Sequence, residues 1–190
     1  MLPSMWTKLF SSFILAVALL TSSAPAQQET PATTAGTHSD PDASPTSSKS
    51  ELTLLTYADH KPLVVSAAEL TALSRVSVTI HNSHTNADEE YSGVRLSVLL
   101  VKLGAPLGSD LRGKALANYI VATGSDGYRS VLALGEVDPS FHPGEVIVAD
   151  SMNGKPLDAH SGPFKLVVTE DKHPARSVRD LITIELKSAQ

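Results

Sequence analysis

His81-Asn82-Ser83-His84 sets two imidazoles three positions apart, and Asp88, Glu89 and Glu90 follow within a few residues. Nitrogen and oxygen donors at this spacing could hold zinc or copper. The same residues would serve as a polar turn whose histidines cap backbone groups or face water, and no second ligand pair stands at a diagnostic distance along the chain. Asp126-Gly127-Tyr128 is a second candidate, lying between two strand-like runs where Asp-Gly also reads as a hairpin turn. A third is the basic group Lys165, Lys172, Arg176 and Arg179. These cations could meet an anion, or they could pair with Glu170, Asp171 and Asp180 on a solvated face.

Other chemistries are excluded by residue type. The 190-residue chain contains no cysteine, so it has no thiol nucleophile, no disulfide and no thiolate ligand for zinc or iron–sulfur. Gly108-Ser109-Asp110-Leu111-Arg112-Gly113-Lys114-Ala115 imitates a phosphate loop, but Ala115 stands where a magnesium-binding hydroxyl is needed, and Gly104-Ala105-Pro106 stands where a strand should precede. There is no G-x-S-x-G elbow and no G-x-G-x-x-G run, and no spacing singles out a Ser-His-Asp triad. A net charge of −5, from 15 basic and 20 acidic residues, argues against a nucleic-acid partner held through phosphate neutralisation.

The candidate residues need elements to position them. Val76, Val78 and Ile80 alternate with polar residues, which predicts a strand with one buried face and places His81 to His84 in the loop at its end. Phe164, Leu166 and Val168 alternate in the same way, as do Ile182, Ile184 and Leu186. Tyr119 to Ala122 and Val146 to Ala149 are apolar on both faces, as central strands are. Ser66 with Glu69 forms a capping-box signature ahead of Leu70 and Leu73. Leu96, Leu99, Leu100 and Leu103 keep helical spacing until Gly104 and Pro106 end the run. Asp126-Gly127, Pro143-Gly144 and Asn153-Gly154 supply turns. The expectation is an α+β domain with a mixed, mainly antiparallel sheet and short helices.

Ahead of this domain, Lys8 is followed by an apolar run from Leu9 to Leu20 and by Ala24-Pro25-Ala26. That order predicts a secretory signal peptide over 1–26, and hence a periplasmic or secreted protein with no membrane insertion after cleavage. Residues 27–50 lack every large apolar side chain and are rich in Ser, Thr and Pro, which predicts a disordered tether. The folded domain is expected over 51–190.

Five pieces in order carry a family likeness: Tyr91-Ser92-Gly93-Val94-Arg95-Leu96-Ser97-Val98-Leu99-Leu100, Gly124-Ser125-Asp126-Gly127-Tyr128, Gly154-Lys155-Pro156-Leu157, Gly162-Pro163-Phe164-Lys165-Leu166-Val167-Val168, and Ala175-Arg176-Ser177-Val178. Together they resemble the sulfite-oxidase-type molybdopterin-binding domain over roughly residues 60–187. The resemblance implies a sulfite-oxidase-like mixed fold around a molybdenum–molybdopterin cofactor, with oxygen-atom or electron transfer at the metal and a redox or membrane partner subunit that the sequence does not identify. In catalytic members a cysteine thiolate from the loop after a strand ligates the molybdenum. Here that loop reads Ile80-His81-Asn82-Ser83-His84, Thr169 stands where the family favours Pro, and Ser177 where it often carries an aromatic.

By that resemblance the pterin would be held by the His81, Asn82 and His84 loop, by Asp126, Gly127 and Tyr128, and by Lys165, with Arg176 on its phosphate. Three readings follow. The domain is a variant or degenerate molybdopterin-binding member, or a non-catalytic module that reuses the fold with no cofactor, or a carrier of a histidine metal site at His81 and His84.

Overall fold

Alternating apolar and polar residues give strands their two faces, and the pairing pattern decides which face is covered. The structure is a computed structural model that describes residues 50–56 and 62–189, all within the unit Ala43–Gln190. The signal peptide expected over 1–26 and nearly all of the tether expected over 27–50 lie outside the described residues. No helix among the described residues is long and apolar enough to cross a membrane.

In chain order the elements are β1 (Glu51–Thr56), β2 (Leu63–Ser66), α1 (Ala67–Thr71), β3 (Arg75–Asn82), β4 (Ala87–Arg95), α2 (Leu96–Lys102), β5 (Asn118–Gly124), β6 (Arg129–Ala133), α3 (Leu134–Val137), β7 (Val146–Met152), β8 (Lys155–Pro156), β9 (Lys165–Val168) and β10 (Leu181–Ser188). They form two five-stranded sheets. The first runs β2-β1-β10-β5-β6, and the second runs β3-β4-β7-β8 with β9 also paired to β7. Among the described residues only β1 and β10 pair in parallel; the other pairings are antiparallel. This is the mixed, mainly antiparallel α+β arrangement that the sequence predicts.

Both sheets feed one main core. Leu52, Leu54, Ile120, Ala122, Leu132, Ile184 and Leu186 come from the first sheet; Val94, Val146, Val148, Leu166 and Val168 come from the second. Leu70 of α1 and Leu96, Leu99 and Leu100 of α2 join them. Burying each of these leucine, isoleucine and valine side chains stabilises the fold by about 1.5–3 kcal/mol relative to leaving it in water. The capping box is formed: the Glu69 carboxylate accepts from the Ser66 N–H at 2.8 Å, and the Ser66 hydroxyl accepts from the Glu69 N–H at 3.3 Å. Helix α2 stops where Gly104 takes φ +76°.

The alternate residues of β7 and β9 point the other way. Ile147, Ala149 and Val167 with Tyr91 make a second, smaller buried cluster, against which Val76, Val78 and Ile80 pack half-buried. The second sheet is therefore apolar on both faces, and its outer face carries the site described below.

Two local expectations need correction, and the rejected phosphate-loop reading of 108–115 stays rejected. β3 continues through His81 and Asn82, so these two residues belong to the strand, and only 83–86 form the turn before β4. The reason is that pairing with β4 persists to Asn82↔Ala87 and the turn is made at Asn86, whose φ is +50°. In β10, Ile182 is 41% exposed rather than buried with Ile184, because a bulge between Leu181 and Thr183 breaks the alternation. The segment 108–115 forms two short 3-10 turns, Gly108–Asp110 and Gly113–Ala117. The Gly108 N–H donates to the Asp138 carboxylate, so it is spent inside the protein and no phosphate cradle exists there.

Candidate functional site

The cross-strand register brings a set of polar side chains onto the outer face of the second sheet. Val78 lies opposite Tyr91 and Ile80 opposite Glu89, so Ile80 and Asn82 of β3 share a face with Glu89 and Tyr91 of β4. Lys165 and Val167 of β9 reach the same face across β7, where Lys165 pairs with Ala149 and Val167 with Ile147. A cavity of about 400 Å3 is lined by Ile80, Asn82, Glu89, Tyr91, Lys165 and Val167 together with His81, His84, Lys172, Pro174 and Ser177. A second cavity of about 370 Å3 is lined by Asp126, Tyr128, Pro174, Ser177 and Arg179. Lys165 lines both. It is the junction of the site.

A continuous hydrogen-bond chain runs beneath the first cavity. The Lys165 ammonium donates to the Tyr91 hydroxyl at 2.6 Å and lies 4.2 Å from the centre of the Tyr91 ring, a cation–π contact. Tyr91 Oη donates to Glu89 Oε2 at 2.7 Å, and Asn82 Nδ2 donates to Glu89 Oε1 at 2.7 Å. Tyr91 is only 4% exposed. Its burial, and then the Glu89 carboxylate, push the phenol far above its ordinary range, so it stays a neutral donor. Burial pushes the Glu89 carboxyl up, but the Asn82 and Tyr91 hydrogen bonds and the Lys165 charge outweigh this and hold it below its usual value. Burial lowers Lys165, with Arg179 acting in the same direction and Glu89 and Asp158 opposing. The arrangement is a cation and an anion joined through one phenol.

The other predicted residues separate into two groups. Asp126 and Tyr128 do line the second cavity, yet both are bonded within the protein. Asp126 Oδ1 accepts from the Tyr128 N–H at 2.8 Å, and the Tyr128 hydroxyl donates to the Ala175 carbonyl. Gly127 supplies the left-handed turn residue, φ +82°, between β5 and β6. His81 Nδ1 lies 2.8 Å from Asp88 Oδ1 with both side chains exposed, while Asn82 Oδ1 accepts from the His84 N–H at 2.9 Å and shapes the turn. Among the described residues no three His, Asp or Glu side chains are grouped to hold a metal ion.

Arg176 lines neither cavity. Its Nε and NH2 grip Asp171 at 2.9 and 2.5 Å, and its NH1 donates to Glu136 at 2.7 Å. Arg179 is joined to His160. Sequence reasoning flagged Lys165 but missed that Glu89 and Tyr91 complete the site. Their two-residue spacing one step before Gly93 was the available signal.

These residues do not fit a molybdenum–pterin centre. In catalytic members of the family that the sequence resembles, a soft cysteine thiolate ligates the molybdenum, and this chain has no cysteine. The stretch that would carry it is a β-hairpin whose Asn82 carboxamide is bonded to Glu89 and the turn. The cation assigned to the phosphate is already matched by two carboxylates.

These two carboxylates, with Asp138 and Asp150, contribute to the acid stability of the fold. Asp138, 2% exposed, is pushed up by burial, but donors from Ser140 and Gly108 outweigh this and hold it low. Asp171 is lowered chiefly by Arg176. Burial raises Asp150, but Arg75 outweighs it, and burial raises Glu136, but Arg176 and the Ala133 N–H outweigh it. A carboxyl whose folded pKa lies below its unfolded value contributes fully above the unfolded value of about 4 and loses that contribution as pH falls through the folded pKa. The urea midpoint is therefore expected to drop steeply below about pH 4. A midpoint unchanged down to about pH 3 would remove this account of the four carboxylates.

No curated protein matches the sequence. Among solved structures, the sulfane dehydrogenase SoxCD from Paracoccus pantotrophus superposes with a TM-score of 0.56 at 20% identity, over 75% of this chain and 40% of that one. The likeness is one of fold, and this chain spans less than half the length of that protein. The family model for the oxidoreductase molybdopterin binding domain matches residues 46–190. With that model covering most of its length, the chain belongs to the oxidoreductase molybdopterin binding domain family.

Proposed function

We propose that this chain is an exported, degenerate member of its family that keeps the fold and the cleft but not molybdenum catalysis, and that it acts as a non-catalytic module binding a small anionic ligand at Lys165. The domain plan is a signal peptide over 1–26, a tether over 27–50 and the binding domain over 51–190, acting in the periplasm or outside the cell. The observation that carries the reading is the Lys165–Tyr91–Glu89 chain in a protein without a single thiol. A half-buried ammonium at the junction of two cavities attracts an anion more strongly than an exposed one does, since the surrounding dielectric is lower. Tyr91 and Glu89 fix its position, and Ile80 and Val167 supply apolar surface for the body of a ligand.

The test is compositional and then thermodynamic. The protein, purified from a host that makes the molybdenum cofactor, is assayed for molybdenum, zinc, copper and released pterin. It is then titrated calorimetrically with small carboxylates and oxyanions. The expected result is no stoichiometric metal or pterin, with anion binding that weakens at least tenfold in Lys165→Met. Molybdenum and pterin at one per chain would overturn the proposal, as would anion affinity unchanged by that substitution.

A further inference from the structure

β3 is an eight-residue strand at the outer edge of the second sheet. The other sheet edges are shorter: β2 has four residues, β6 five, β9 four and β8 two, one of them Pro156. Proteins blunt exposed edges with short strands, prolines, inward charges or bulges. β3 has none of these along Val76-Ser77-Val78-Thr79-Ile80, and its pairing with β4 runs from Arg75↔Val94 to Asn82↔Ala87 without a break. Among the described residues no strand pairs with its outer edge. Val76, Val78 and Ile80 stay half-buried on the smaller apolar cluster, and Ser77 and Thr79 are exposed on the opposite face.

We propose that this edge pairs antiparallel with the β3 of a second copy of the chain, about a two-fold axis through Val78, joining the second sheets of the two copies into one. The sequence of the strand argues for a second copy as the occupant. With Val78 opposite the same residue of the other copy, Val76 meets Ile80, Ser77 meets Thr79, and Arg75 meets His81. Every apolar residue then faces an apolar one and every hydroxyl a hydroxyl, the self-complementarity that an isologous interface requires. A shift by one residue sets valine or isoleucine against serine, and a shift by two leaves Ile80 or Val76 opposite a polar residue. Arg75 is held by Asp150 and His81 by Asp88, so the meeting of these two ends brings no uncompensated like charge together.

The absence of cysteine makes the register directly testable. Directly opposed residues in an antiparallel pair have Cα atoms about 4.5–5.5 Å apart, inside the range that a disulfide spans. Ile80 of one copy would lie about 13 Å along the strand from Ile80 of the other, out of reach. The unaltered chain should sediment at twice the chain mass in concentrated solution. After mild oxidation, a denaturing gel should show Val78→Cys as a covalent dimer and Ile80→Cys at the mass of a single chain. A chain that sediments as a monomer at every concentration overturns the proposal. So does a dimer in which Val78→Cys fails to cross-link, or one in which Ile80→Cys cross-links as readily.

Discussion

Gly93→Ala is expected to destabilise the domain by about 3 kcal/mol or more, at the upper end of what overpacking does. A Cβ at this position would stand 2.1 Å from the Val148 carbonyl oxygen and 2.5 Å from the Ala149 Cα. Both are backbone atoms of β7, the strand that pairs with β4, β8 and β9. A flexible side chain could swing away; this backbone can move only by breaking its ladder. The close approach coincides with the bulge between Ser92 and Gly93 that shifts the register of β4 on β7. Urea unfolding should show a lower midpoint at unchanged slope. Gly135→Ala in α3, where an added methyl meets nothing within 4 Å, is the matched control and should change stability by less than about 1 kcal/mol. If the two substitutions prove equally mild, the packing of β4 on β7 is looser than described.

Gly93 also shows how much the sequence discloses. Its place in a Tyr-Ser-Gly-Val-Arg-Leu run marked it as part of a family pattern, but the need for glycine there lies in β7, more than fifty residues away. Local signals translated well. The Ser66–Glu69 box, the Leu96–Leu103 spacing and the Asp126-Gly127 turn each depend on neighbours within a few residues, and each formed as expected. The end of β3 was misplaced because apolar alternation stops at Ile80, whereas backbone pairing, which needs no apolar side chain, carries on to Asn82. Lys165, Asp126 and Tyr128 stood out by type and do line cavities. Arg176 stood out by the same criterion and is committed to Glu136, forty residues distant. That Glu89 and Tyr91 share a face was legible from their spacing. That Lys165 meets Tyr91 was not, since it requires β9 and β4 to flank the same strand, and strand order is a property of the whole chain.

Tyr91→Phe is the second substitution with a large expected effect, about 2 kcal/mol of stability, since it leaves two charged partners each short of a hydrogen bond in a cleft that water only partly reaches. The hydroxyl is at once acceptor for Lys165 and donor to Glu89, and the phenylalanine ring would keep the apolar packing and the cation–π face while losing both bonds. Because hydrogen bonding from Tyr91 is one of the interactions that hold Glu89 low, its carboxyl should titrate at higher pH in the variant, which carbon-detected NMR of the glutamates can follow. Lys165→Met in the Tyr91→Phe background should then have a smaller effect than in the native chain, because part of what it removes is already gone. Sites in one network deviate from additivity by 0.5 kcal/mol or more, whereas independent sites add to within about 0.3–0.5 kcal/mol. Strict additivity, with Glu89 titrating as before, would mean that ammonium, phenol and carboxylate are neighbours rather than a unit, and the positioning of Lys165 for an anion would lose its physical basis.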